Sequence, residues 1–163
     1  MGDRVVLMKQ GRIEQMGPPA EVYARPVSPY AANFLGVRNR IDVEVRGRAL
    51  YYGPNEVGGS SAYPGTFGGS GSIRLFARDQ DVVIRPRGDG GSTASEPELE
   101  FEGTVGQTVL GPGGRPRYIV DVAGNQWYAA RSEIEAAAPG TRVRVGVVAS
   151  RALLYEGDSL ISA

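Results

Sequence analysis

The chain has 163 residues, 41% of them apolar, and its 18 basic and 18 acidic side chains give a formal net charge of zero. This length supports one core of ordinary size, and the balanced charge argues against a broad positive surface for nucleic acid or anionic lipid. The sequence contains neither Cys nor His, which excludes disulfides, thiolate nucleophiles, imidazole bases and metal sites built on those residues.

The only lysine limits the phosphate chemistry that the chain can perform. Lys9 lies in the sequence VLMKQ and follows no glycine-rich turn, so it cannot belong to a P-loop. We therefore expect no catalytic residue here and no ATP hydrolysis by this chain alone. The sequence also lacks an apolar run of about 18 residues and a signal peptide at its start, so a reducing cytoplasm is the expected environment.

The chain begins with a predicted two-stranded ribbon followed by a short helix. Residues 4–8 and 12–15 have strand character, and Gln10-Gly11 between them is typical of a tight turn. Pro18 and Pro19 then favour a helix start. We expect this first helix to end before Pro26.

A second short helix is predicted directly afterwards. Ser28 is a suitable N-cap for it, and Gly36 is typical of the position just after a helix end. The spacing of Tyr30, Ala31, Phe34 and Leu35 places these four side chains on one helix face. An apolar face of this kind favours self-association of the chain.

From residue 37 onwards the sequence predicts a mainly β domain. Apolar and charged residues alternate, as a half-buried strand requires, and Gly/Ser-rich insertions near 53–72 and 87–98 read as connections. The motif from Ser132 to Glu135 is typical of a capping box that starts a short helix ending at Pro139. Small barrels of short strands with one helix are typical of OB-like architecture. The predicted strands are 41–45, 73–77, 81–85, 99–110, 115–122, 125–130 and 141–148.

Five ordered elements of the first 36 residues carry a resemblance to a known family: Asp3–Val5, Gly11–Gly17, Pro19–Tyr23, Pro26 and Phe34–Gly36. This order resembles the end of the nucleotide-binding domain in ATP-binding subunits of ABC importers, in the branch that serves polyamines, ferric iron, sulfate and sugars. In that family the segment continues into a TOBE domain, a small OB-like β module. The resemblance thus implies a C-terminal remnant of a nucleotide-binding domain in residues 1–36 and a TOBE domain in residues 37–163.

The later part of the chain resembles the TOBE domain more loosely. Glu102–Val105, Tyr118–Val120 and Pro139–Val145 are similar to its later strands. The family's Arg-Pro-Glu strand is altered here to Arg78–Val82, and the hydroxyl residue that commonly starts the first helix is replaced by Pro18.

The resemblance implies a regulatory and dimer-stabilising role rather than catalysis. The catalytic motifs of the family would precede this chain, so ATP and Mg are expected as cofactors only in a full-length parent, and none in this region. The implied partners are a second copy, through TOBE domains, and membrane permease subunits. The implied location is the cytoplasmic face of the inner membrane without direct membrane insertion. The transported solute is not specified by the sequence.

An autonomous module that binds a small oxyanion, such as molybdate or sulfate, is the alternative interpretation. Ser132, Ile134 and Glu135 form its candidate site, because free N–H groups at a helix start attract anions. The same spacing is explained by self-capping of the helix, and the two acidic side chains Glu133 and Glu135 disfavour an anion.

Two further patterns in the sequence have plainer interpretations than a binding site. Cationic and aromatic side chains on neighbouring strands are a pattern that OB folds use for single-stranded nucleic acid, but with zero net charge we interpret these side chains as core or interface residues and expect no nucleic-acid partner. Three carboxylates could bind a divalent cation. Carboxylates on a solvent-exposed strand face would give the same sequence pattern, so no metal site is predicted. The residues concerned are Arg115, Arg117, Tyr118, Trp127 and Tyr128 in the first pattern, and Asp79, Asp81 and Asp121 in the second.

Overall fold

Short apolar strands joined by tight turns account for most of the structure. In this computed structural model residues 3–59, 71–88, 98–134 and 137–161 are described, and within them there are two α-helices, α1 (Pro19–Ala24) and α2 (Pro29–Phe34). The strands in the same ranges are β1 (Val5–Lys9), β2 (Arg12–Gly17), β3 (Asn39–Arg46), β4 (Ala49–Tyr52), β5 (Asn55–Gly58), β6 (Gly71–Ala77), β7 (Val82–Pro86), β8 (Glu98–Leu110), β9 (Pro116–Val122), β10 (Asn125–Ala129), β11 (Arg131–Ser132), β12 (Arg142–Val148), β13 (Leu153–Glu156) and β14 (Ser159–Leu160).

The first part of the chain, residues 3–36, is called the lead-in below, and residues 37–161 are called the β unit. The antiparallel pair β1–β2 forms the predicted ribbon, and its turn places Gln10 and Gly11 at positive φ. Pro19 starts α1 and Ser28 caps α2, where its hydroxyl accepts a hydrogen bond from the Ala31 N–H at 3.2 Å. The predicted fold class is confirmed: mainly β, with a ribbon and two short helices in front.

Small side chains form the buried face of α2. Ala31 and Ala32 are fully buried, whereas Phe34 is 67% exposed. The helix approaches the β unit through these small side chains, and Tyr30 and Phe34 stack on each other with ring centroids 6.3 Å apart. Phe34, on the predicted apolar face, is therefore exposed, and the alanines make the contact with the β unit.

The described residues of the β unit form two six-stranded sheets. Sheet I has the order β14-β13-β6-β3-β4-β5 and sheet II the order β10-β9-β8-β12-β7-β11. Alternate residues of β3 are buried, so one face of sheet I contributes to a core that it shares with sheet II. Members of this core include Ile41, Val43, Leu50 and Leu75 from sheet I, and Leu99, Phe101, Val120, Trp127 and Val145 from sheet II.

Two local predictions differ from the structure. Asn55–Gly58, predicted as part of a loop, forms β5, because Val57 packs into the shared core. The described part of 132–139 contains no helix: Ser132 pairs with Ile84 as part of β11, so its backbone is extended rather than ready to start a helix. Residues 60–70 and 89–97 of the predicted connections lie outside the described residues.

Candidate functional site: the joint between the lead-in and the β unit

Arg78 makes polar contacts between the lead-in and the β unit. It follows the end of β6, and its Nη2 donates to the main-chain oxygens of Tyr23 and Ala24, the latter at 3.4 Å. These two residues end α1, where carbonyl groups lack helical partners and a cation is favourable. The Arg78 guanidinium also lies 4.8 Å from the centroid of the Tyr23 ring, a cation–π distance. Arg78 therefore caps a helix that belongs to a different part of the chain.

Tyr155 makes a second, buried polar contact at the joint. Its hydroxyl on β13 donates to the Pro26 carbonyl at 2.8 Å, in the turn between the two helices. Burial raises the pKa of the Tyr155 phenol well above its ordinary value, and the nearby Arg78 cation opposes that rise. The hydroxyl consequently stays a donor throughout the neutral range.

A small apolar cluster completes the joint. It lies on the outer face of sheet I, separate from the shared core, and α2 covers it. The Phe76 and Tyr155 rings meet edge to face with centroids 5.5 Å apart, a favourable aromatic geometry. The buried members are Ala32, Val37, Phe76, Leu153 and Tyr155, with Leu160 packed against them.

Hydrogen bonds inside the lead-in fix the ribbon to the helices. The Gln15 amide donates to the Arg25 carbonyl at 2.9 Å and accepts from the Val27 N–H at 3.1 Å. The Ser28 hydroxyl donates to the Glu14 carboxylate. The ribbon, the helices and the outer face of sheet I thus form one continuous set of contacts.

A cleft of about 320 Å³ opens at this joint, beside α1. Three arginines line it, Arg25, Arg78 and Arg151, together with the carboxylate of Asp81. Asp81 is 3% exposed and pairs with Arg151 at 3.1 Å. The charges on the cleft wall therefore sum to an excess of cations, although the chain as a whole is neutral.

The residues predicted to bind an anion lie elsewhere, at the end of sheet II. The Ser132 hydroxyl accepts from the Ile134 N–H at 3.0 Å and donates to the Ile134 carbonyl at 2.9 Å. The N–H group proposed as an anion ligand is thus already bonded to Ser132. Glu135 lies outside the described residues, so this site stays a prediction.

The aromatic and cationic side chains of β9 and β10 are mostly structural. Trp127 is fully buried and packs against Phe101 at a centroid distance of 5.3 Å, while Arg117 pairs with Asp79 at 2.7 Å. Asp81 and Asp121 do not join Asp79 in a metal site, since no group of three ligating side chains occurs in the described ranges.

Sequence comparison relates the chain to known import systems. The sulfate/thiosulfate import ATP-binding protein CysA 2 of Chromobacterium violaceum is 31% identical over 170 residues, covering 98% of this chain and 43% of that protein. The CysA protein of Yersinia pseudotuberculosis is 31% identical over 168 residues, with 99% and 42% covered. The chain is homologous to the C-terminal region of ABC-importer ATP-binding subunits.

The chain spans less than half the length of these importer subunits. A shorter alignment, 40% identical over 85 residues, relates 52% of the chain to 23% of the CysA protein of Xylella fastidiosa. No family profile matches the sequence. The predicted kinship with importer ATP-binding subunits is confirmed.

Among solved structures, the cytoplasmic molybdate-binding protein ModG with molybdate bound is 15% identical, with a TM-score of 0.48 over 73% of this chain and 96% of that chain. A likeness of this size supports no argument about a ligand. No helix in the described residues is long and apolar enough to cross a membrane.

The sequence pointed to one residue of the joint without revealing its role. Arg78 stands at the start of the segment that departs from the family's Arg-Pro-Glu strand, and the structure places it on the end of α1. Nothing in the local sequence indicated Tyr155 or its bond to Pro26, because 129 positions separate the two residues.

Proposed function

We propose that the chain is the regulatory and dimer-forming C-terminal region of the ATP-binding subunit of an ABC importer for a small solute, and that it is not itself catalytic. The observation that carries the proposal is the joint. The family resemblance implies that this region follows the ATP-binding part of the subunit, so the lead-in would be the end of the nucleotide-binding domain. The contacts of Arg78 and Tyr155 with the lead-in would then relay movement between that domain and the β unit.

The names of the relatives favour sulfate or thiosulfate as the solute. The intact subunit would bind ATP and Mg through residues outside this chain, contact permease subunits and lie at the cytoplasmic face of the inner membrane. Within the chain, Lys9 follows no glycine-rich turn. Purified chain should therefore release no phosphate from ATP above the rate of a buffer control, and sustained turnover would contradict the non-catalytic part.

A chimera tests the coupling role. In a full-length sulfate/thiosulfate import ATP-binding subunit, the C-terminal region would be replaced by this chain, and sulfate uptake and ATP hydrolysis would be measured together. We expect the chimera to transport, and an Arg78→Gln chimera to hydrolyse ATP with less solute moved per ATP, because α1 loses its cap. Equal transport by the chimera and by a subunit truncated after its nucleotide-binding domain would contradict the proposal.

Self-association is tested separately by sedimentation of the isolated chain. We expect a dimer in equilibrium with monomer, since the proposed role includes pairing of two β units. A monomer throughout the accessible concentration range would remove the dimer-forming part of the proposal and leave the coupling role to the chimera experiment.

A further inference from the structure

We infer that the cleft at the joint is a binding site for a small oxyanion, which would bridge the lead-in and the β unit. The site is formed by Arg25, Arg78 and Arg151, and it is distinct from the predicted site around Ser132. Binding of the anion does not depend on the proposed function; only its regulatory consequence does.

The charges on the cleft wall are not balanced by protein carboxylates. Asp81 is committed to Arg151 at 3.1 Å. Arg25 is exposed, and its guanidinium has no ion pair within the described ranges. Arg78 points its Nη2 at main-chain carbonyls and not at a carboxylate. An anion entering the cleft would therefore meet two cations, Arg25 and Arg78, that have no carboxylate partner within the described residues, beside Arg151, which already pairs with Asp81.

The Arg78 guanidinium is also partly desolvated. Its Nε is buried and has no hydrogen-bond partner in the part of the chain that the structure describes. A guanidinium that has lost part of its hydration gains more from a nearby anion than a fully hydrated one does. This favours binding beside Arg78 over binding at one of the solvated surface arginines.

The three arginines come from segments far apart in the sequence. Arg25 is the C-cap residue directly after α1, Arg78 follows β6, and Arg151 ends the turn before β13. An oxyanion with several acceptor oxygens suits the forked donors of arginine. Because it would contact both parts of the chain, its binding would strengthen the joint by mass action.

Titration calorimetry with inorganic phosphate, and separately with sulfate, at fixed ionic strength tests the site. We expect saturable binding with a Kd of about 1 mM. The Arg25→Gln variant should weaken it about tenfold, and this variant should fold because Arg25 is exposed and its side chain makes no hydrogen bond or ion pair within the described residues.

Arg48→Gln provides the matched control. It removes the same charge from an exposed arginine in the β3–β4 turn, which is not part of the cleft, and should leave the Kd unchanged. Absence of saturable binding, or equal weakening in both variants, would overturn the inference. Neither result would affect the chimera experiment, so failure of this site and failure of the proposed function are distinguishable.

Discussion

The Asn39 side chain takes the place of a missing strand neighbour for Tyr128. Its amide oxygen accepts from the Tyr128 N–H at 2.7 Å and its amide nitrogen donates to the Tyr128 carbonyl at 2.8 Å. In the adjacent residues of the same two strands, the Trp127 indole N–H donates to the Arg40 carbonyl at 3.1 Å. These bonds join β3 of sheet I to β10 of sheet II, two strands that share no ladder.

Replacing Asn39 by Ala should destabilise the chain markedly. The change leaves both main-chain groups of Tyr128 without partners at a site where Asn39 is 1% exposed. Unsatisfied buried polar groups cost about 1–3 kcal/mol each, so we expect the free energy of unfolding in urea to fall by about 3 kcal/mol. Asn33→Ala, at an exposed position of α2, is the control and should change it by less than about 0.5 kcal/mol.

Gly103 lies where no side chain fits. A Cβ at this position would lie 2.7 Å from Val120 Cγ1 and 2.9 Å from Val145 Cγ2. Gly103→Ala should therefore destabilise the chain by about 1–3 kcal/mol, as overpacked core sites do. At Gly106, on the same strand, the nearest atom would be the Ile119 carbonyl at 3.4 Å. Thermal unfolding should show a clearly smaller loss for Gly106→Ala, and equal losses would contradict the packing argument.

The Tyr155–Pro26 bond gives the stability a specific dependence on alkaline pH. Burial raises the pKa of Tyr155 in the folded state, so above the ordinary phenol value of about 10 the unfolded chain releases a proton that the folded chain retains. Unfolding then becomes easier as pH rises, by up to about 1.4 kcal/mol per pH unit. At a pH below the ordinary phenol pKa, the contribution of protonated Tyr155 to the stability is fully present.

Tyr155→Phe isolates this effect. At neutral pH the variant should be less stable by about 1 kcal/mol, because the hydrogen bond is lost. As pH rises above about 10, the difference in free energy of unfolding between the two proteins should shrink. Only the protein with Tyr155 loses stability because its phenol releases a proton on unfolding. Tyr51, whose pKa is also raised, mainly by its hydrogen bond to Glu56, is present in both proteins and cancels. A gap that stays constant with pH would contradict the buried-phenol argument.

The two faces of the ribbon should respond differently to truncation. Leu7 is 3% exposed, whereas Ile13 is 61% exposed. Leu7→Ala should cost about 2–4 kcal/mol, as buried leucines do, and Ile13→Ala should change the stability of the isolated chain by less than about 0.5 kcal/mol. Chemical unfolding of both variants measures this, and similar losses would mean that the exposed face is covered in solution.

The elements with local signals could be predicted from the sequence. Alternation in β3, the Gln10-Gly11 turn and the Ser28 cap each lie within a few residues, and each was found where predicted. Long-range packing accounts for what the local signals do not specify. The spacing in α2 predicts an apolar face but not which side chains contact sheet I, and the structure buries the alanines while Phe34 is exposed. At Ser132 the capping pattern is overridden, because pairing with Ile84 fixes the backbone as a strand.

The contacts that form the joint could not be predicted from the sequence. Arg78 and Tyr155 acquire their roles only when the chain brings them next to residues 54 to 129 positions away, and no local pattern encodes such a meeting. The cleft has the same origin, since Arg25 and Arg151 come from opposite ends of the chain.

The apolar cluster beneath α2 has a consequence for the order of folding. Ala32 and the residues on which this helix rests, Leu153 and Tyr155, are far apart in the sequence. Contacts that close so long a stretch of chain are slow to form, so α2 gains its support only after β13 has paired with β6. A protease cut between β12 and β13 would remove that support and release α2 from the sheet.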